Sequence, residues 1–255
     1  MTLAVRGGAA WELVLDRPES ANALDEELVE ALLAALDEAS AAGAAAIVLR
    51  GNPRHFAAGF DLGGLAEETD AGLALRLLRI GVLLERLRTG PWLTVALVEG
   101  TAVGAGADLA LACDHRIGTR AAGFAFPGAR FGLVLGTARL AGLAGADRAL
   151  DGSRPLDAER AAAAGLLTEL TDRPEQAAAA VLERWSATAP VARTALLRQS
   201  RQHDTDGELA ALARSVAVPG LRSRILAYAA GRGLGSAPTD DTDHTDHTHD
   251  TEENR

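Results

Sequence analysis

EGTAVGAGADLALACD, residues Glu99 to Asp114, is the stretch on which the reading of this chain turns. The run before it, WLTVALVEG ending at Gly100, is apolar almost throughout, as a buried strand is. Small residues then make a turn around Gly104, Ala105, Gly106 and Ala107, and a helical pattern follows from Asp108 to Cys113. N–H groups at a helix start have no carbonyl one turn earlier, so they point at whatever lies outside. Upstream, AAAIVLRG ending at Gly51 leads into a second small-residue turn, HFAAGFDL, residues His55 to Leu62. Two such turns whose N–H groups converge form an oxyanion hole. Ala57, Ala58 and Gly59 on one, and Ala105, Gly106 and Ala107 on the other, let a substrate approach the backbone closely.

Outward from these turns the chain alternates strands and helices. AWELVLDRP (Ala10 to Pro18) reads as a strand with Trp11, Leu13 and Leu15 alternating. Leu24, Leu28, Leu32, Leu33 and Leu36 recur at helical spacing, with Gly43 as the stop. Leu73 to Leu87 carries another helical stripe, and HRIGT and GFAFP read as short strands. After Ala141 the pattern is helical to Gly231, broken by Gly152, Pro155, Pro174, Pro190 and Pro219. Repeated β-α crossovers favour parallel pairing. The expected class is therefore α/β: a core over residues 1–170, a helical region over 171–234, and a tail over 235–255.

Of 255 residues, 48% are hydrophobic, enough for a sizeable core. Basic residues number 25 against 35 acidic, a net charge of −10, which argues against nucleic acid and against an anionic membrane surface. No run reaches the length needed to span a bilayer, and no secretory signal is evident, so a cytoplasmic setting is expected. The single cysteine, Cys113, sits among apolar neighbours and reads as an inert buried thiol. Every basic residue is Arg, so any phosphate contact must be made by Arg. From Gly235 the chain holds seven acidic residues and one arginine, −6 of the −10, without apolar periodicity, and is expected to be disordered. His244, His247 and His249 could hold a transition metal only weakly, and no metal site is expected in the core.

HFAAGFDL and GAGADLALACD, with LDRPESANALDEELVEAL near the start and AAAAGLLTEL further on, resemble the enoyl-CoA hydratase/isomerase (crotonase) family, in the family's order and spacing. The resemblance runs from about Leu13 to Thr171, and more weakly to about Arg232. It implies a crotonase-like β/α spiral core, a C-terminal helical region that assembles trimers or hexamers, an acyl-CoA thioester as substrate, and no separate cofactor. It implies an oxyanion hole made by the N–H groups of Phe60 and Ala105, the latter where the family usually has Gly. Asn22, Ala23 and Leu24 match the segment that packs near the adenine, and the backbone of Ala57, Ala58 and Gly59 would bond its edge. Gly104 shapes the second turn, Asp61 bonds within its own turn, and Arg17 and Arg232 are candidates for the CoA phosphates.

The acid/base groups depart from the family pattern. The position of one hydratase glutamate is taken by Asp108 and that of the other by Gly128, in GFAFPGARFGL. Two carboxylates let one activate water while the other delivers a proton. Asp108 alone fits a lyase or isomerase that moves one proton at a time. An acid in the first turn of a helix is also favourable through the macrodipole, so capping is a second role for it. LGTARL (Leu135 to Leu140) is shorter than the family's loop there, which should reshape the cavity. Glu67, Glu68 and Asp70 could fold over the acyl group, Tyr228 could reach an acyl pocket, and His55 and His115 read as structural. The alternative is a non-catalytic acyl-CoA binder or a subunit of a biosynthetic complex, which a closed or wholly apolar pocket at the two turns would favour. A Rossmann site is weaker still, since Gly104-Ala-Gly-Ala-Asp-Leu lacks the third glycine.

Overall fold

The computed structural model describes residues 2–133, 135, 155–201 and 205–231. Its chain winds as a spiral in which each turn lays one strand in a large sheet and then, past a bend, one strand in a small sheet. Strands β3 (Ala46–Arg50), β5 (Leu93–Val98) and β7 (His115–Gly118) lie in the large sheet, and β4 (His55–Ala57), β6 (Thr101–Val103) and β8 (Gly123–Ala125) in the small one. β2 (Ala10–Leu15) and β10 (Glu169–Leu170) extend the large sheet, all of these pairing in parallel. β1 (Leu3–Arg6), which the sequence reading passed over, adds an antiparallel edge, and β9 (Leu156–Asp157) closes the small sheet antiparallel to β8.

Two of the bends require glycine. A Cβ at Gly51 would lie 2.4 Å from the carbonyl oxygens of His55 and Phe56, and one at Gly100 would lie 2.3 Å from the carbonyl carbon of Arg54. The run WLTVALVEG holds one strand, β5; the backbone folds sharply at Glu99-Gly100, and the stretch read as a turn opens with a further short strand, β6, in the small sheet.

Helix α1 (Glu26–Ala41) starts where the Asp25 carboxylate accepts the Leu28 N–H at 2.8 Å. It buries Leu28, Leu32, Leu36 and Ala39 at helical spacing and ends at Gly43 (φ +68°), where the N–H of Ala44 donates to the carbonyl of Ala39. Helix α2 (Asp70–Thr89) is capped by Thr69 and buries Leu73, Leu77, Ile80, Leu84 and Leu87. Helix α3 (Ala105–Leu111) follows the second turn, and α4 (Ala158–Ala163) precedes β10. Four helices end the described chain: α5 (Pro174–Ser186), α6 (Pro190–Ser200), α7 (Thr205–Val216) and α8 (Leu221–Gly231).

The large sheet is covered on both faces, which is why β5 is buried along its whole length and reads as a continuous apolar run. One face packs α1, α2 and α3 in the main core. The other forms a second core in which Val48, Val95, Leu97 and Ile117 meet Ala178 and Val181 of α5 and Leu197 of α6. The C-terminal helices thus pack directly on the β/α core; the Trp185 indole N–H donates to the Ala45 carbonyl at 2.8 Å. The segment 136–154 and the tail lie outside the described residues, with most of LGTARL and Arg232.

Candidate active site

The two turns singled out in the sequence touch each other. β4 and β6 pair in parallel, His55 opposite Thr101. Gly59 (φ +91°) is pressed against the neighbouring turn: a Cβ there would lie 2.4 Å from the Val103 carbonyl oxygen and 3.2 Å from the Ala105 nitrogen. A Cβ at Gly106 would lie 2.2 Å from the carbonyl oxygen of Ala57. The small residues are thus demanded by backbone-to-backbone packing, and that packing brings Phe60 next to Ala105.

Hydrogen bonds fix the direction of the Phe60 N–H. Leu24 and Phe60 form an isolated parallel bridge. The Leu24 N–H donates to the Gly59 carbonyl at 2.7 Å, and the Asp61 N–H donates to the Leu24 carbonyl at 3.2 Å. In a trans peptide the C=O and N–H point opposite ways. With the Gly59 carbonyl held toward Leu24, the Phe60 N–H is turned away from Leu24. Gly104 (φ +52°) donates its N–H to the Ala125 carbonyl at 2.7 Å and accepts at its own carbonyl from the Asp108 N–H at 3.0 Å. That starts α3 at Ala105, whose N–H belongs to the unpaired first turn.

Phe60 and Ala105 line one cavity with Ala58, Gly104, Asp108 and Gly128. Its other walls are apolar: Leu62, Leu77, Phe126, Phe131, Leu133, and Ile225 and Tyr228 from α8. Among the described residues that line it, Asp108 is the one carboxylate, and the residue is 3% exposed. The Tyr228 ring packs on Phe131 with centroids 4.6 Å apart, so the phenol belongs to the wall of its own chain's cavity.

Other candidates fall elsewhere. The Arg17 guanidinium is turned inward, bonding the Ala23 carbonyl at 2.5 Å, Asp61 at 3.0 Å and Asp25 at 2.9 Å; that engagement weighs against a phosphate role. Asn22 is fully buried. The Ala58 N–H donates to the Ala21 carbonyl, so it is not available to an adenine edge. Ala57 is fully buried in β4 and Ala23 is buried beside Arg17. Asp61 accepts from the Gly63 N–H at 2.8 Å, inside its own turn. His55 Nδ1 lies 3.0 Å from the Thr101 hydroxyl. His115 is half-buried, and burial holds its pKa below the usual value despite the neighbouring Asp114. Glu67 is exposed, Glu68 pairs with Arg76 at 3.2 Å, and Asp70 caps α8; none of the three lines the cavity.

Arg76 was missed in the sequence. Its guanidinium sits 4.6 Å from the centre of the Phe60 ring, and it donates to the Asp61 carbonyl at 3.0 Å. The available signal was an arginine inside the apolar stripe of α2, between Leu73 and Leu77. A cation on a largely buried face needs partners, and here they are Glu68 and the first turn.

A β/α spiral with two glycine-dependent turns facing one cavity defines the class, and comparison with known proteins agrees. The enoyl-CoA hydratase/isomerase family profile matches residues 7–216, and the chain belongs to that family. A crystal structure of a Bordetella parapertussis protein carrying the enoyl-CoA hydratase/isomerase name is 42% identical, with a TM-score of 0.86 over 90% of this chain and 99% of that one. An enoyl-CoA hydratase/isomerase from Xanthobacter autotrophicus is 26% identical, with a TM-score of 0.80 over 92% and 94%. A Mycobacterium tuberculosis protein named as an enoyl-CoA hydratase is 39% identical over 144 residues, 55% of this chain and 57% of its own length. The match thus spans little more than half of that curated relative. No described helix is long and apolar enough to cross a membrane.

Proposed function

We propose that this chain forms the enolate of an acyl-CoA thioester and moves a single proton on it, as an isomerase or lyase of its family does, with Asp108 as the base. One observation carries the reading: the peptide held between Gly59 and Phe60, the start of α3 at Ala105, and Asp108 all border the same apolar cavity. In that reading the thioester oxygen accepts the N–H groups of Phe60 and Ala105. Asp108 takes the α-proton, the C–H electron pair moves into the Cα–C bond, and the oxygen gathers the charge. The charge then returns to the α carbon, or, in a β,γ-enoyl thioester, to the γ carbon as the β,γ double bond moves to the α,β position, and that carbon recovers the proton from Asp108. Each fixed donor in a dry site is worth about 2.7–4 kcal/mol by analogy with single-donor deletions. The chemistry needs no resident cofactor, because the CoA thioester supplies the acidified carbon.

Hydration asks for more. Water must be activated while a proton is delivered to carbon, and Gly128 offers no second carboxylate. Wild-type protein should therefore exchange the α-protons of butyryl-CoA in deuterated water, yet hydrate crotonyl-CoA about 10²–10⁴-fold more slowly than a two-glutamate relative. Hydration within tenfold of such a relative would remove the single-carboxylate reading. Assembly as a homotrimer or hexamer in the cytoplasm belongs to the same proposal, through helices on the outside of the C-terminal region.

A further inference from the structure

We propose that Asn22 is a positioning residue whose side chain aims the Phe60 N–H into the cavity. Nothing in the residue's own chemistry would touch substrate, because it is fully buried. It holds a left-handed backbone (φ +58°) directly after Ala21 (φ +54°), which curls the chain between β2 and α1. Its Oδ1 accepts the Arg17 N–H at 2.9 Å, closing the curl. Its Nδ2 donates to the carbonyls of His55 and Phe56, at 3.1 and 3.2 Å, pinning the curl to β4. Two residues on, the Leu24 N–H grips the Gly59 carbonyl at 2.7 Å, the bond that turns the Phe60 N–H the other way. Asn22 therefore acts on the donor through one intermediate peptide. The proposal rests on the reading of the Phe60 N–H as an oxyanion donor.

Asn22→Asp keeps the shape and the bond to Arg17 but sets an oxygen against two carbonyls. Asn22→Gly keeps the left-handed backbone and deletes the pin. Replacing the Leu24 amide by an ester removes the N–H that grips Gly59, and also weakens the Ala23 carbonyl as acceptor for Arg17. Two readouts separate positioning from general support: the carbonyl stretch of bound crotonyl-CoA labelled with ¹³C at the thioester, and kcat against KM for α-proton exchange of butyryl-CoA. In the wild type the stretch should fall below its solution frequency. In each variant it should return toward that frequency, with kcat down about 10²-fold and KM little changed. A residue that merely supports the fold would lower thermal stability and leave the stretch and kcat of the folded fraction alone. That result, in either Asn22 variant, overturns the proposal. If neither variant folds, the Leu24 ester decides: an unchanged stretch and kcat overturn it. If the wild type shows no lowered stretch, the oxyanion reading itself fails, and this inference with it.

Discussion

Gly128 is the residue at which this chain parts from a two-carboxylate hydratase, and its surroundings leave room for a Cβ. A Cβ there would meet nothing nearer than the Leu133 carbonyl oxygen at 3.6 Å. Gly128→Glu should therefore fold and place a second carboxylate in the wall shared with Asp108. Burying it has a cost, since the cavity is largely apolar. Crotonyl-CoA hydration by Gly128→Glu should rise at least about tenfold over wild type, part of the 10²–10⁴ that one positioned acid or base contributes. A folded variant with no gain would show that Asp108 is not arranged as half of such a pair. The family resemblance pointed to Asp108, Phe60 and Ala105, and the fold brings all three to one cavity. It could not reveal that Arg17 is spent on Asp25 and Asp61, or that the Asn22 amide faces inward, because both depend on a loop whose path is set by tertiary hydrogen bonds.

Helix α8 shows how an element far along the chain is tied to the cavity. Asp70, at the start of α2, accepts the N–H groups of Gly220, Leu221 and Arg222 at 3.0, 3.2 and 2.8 Å, so one carboxylate caps α8. The Arg222 guanidinium in turn donates to the carbonyl of Ala66. The backbone N–H of Arg222, and then those of Gly220 and Leu221, hold the Asp70 carboxyl below its ordinary pKa. The ionised form is thus favoured by folding. Its contribution is present above the ordinary carboxylate range and fades as pH falls through the lowered value. Because Ile225 and Tyr228 wall the cavity, acid should loosen that wall. Hydrogen exchange of the α8 amides should quicken as pH drops from about 5 to about 3, after correction for intrinsic rates. Asp70→Asn should show faster exchange already at neutral pH and lose the acid-dependent part. Protection equal to wild type in that variant would refute the link. The sequence showed α8 only as the helical segment after the break at Pro219, and its periodicity cannot say that its first turn is capped from 150 residues away.

Across the whole molecule, the alternation of strands and helices was legible from apolar runs and small-residue turns, the spiral only through the family resemblance, and the outer surface not at all. Leu197, Leu212 and Ile225 of the C-terminal helices are 5%, 2% and 0% exposed, packed on their own chain, so they offer no apolar surface to a partner. A helical stripe shows only that a face is covered, not by what. Exposed large apolar residues of this region are Val191 (88%) and Leu196 (49%) on α6, and Val218 (50%) between α7 and α8. If α6 is the contact between copies, wild-type protein should sediment as an oligomer at micromolar concentration, and Val191→Asp combined with Leu196→Glu should shift it toward monomer. A wild-type monomer would remove assembly from the account. The central claim, that Asp108 moves a proton beside backbone donors, is tested most directly by NMR of butyryl-CoA in deuterated water with wild type and Asp108→Asn. The substitution keeps the shape and removes the base. The account predicts α-proton exchange by the wild type and a loss of about 10²-fold or more in Asp108→Asn, with thioester binding largely kept. Full exchange by Asp108→Asn, or binding without exchange by the wild type, would contradict it.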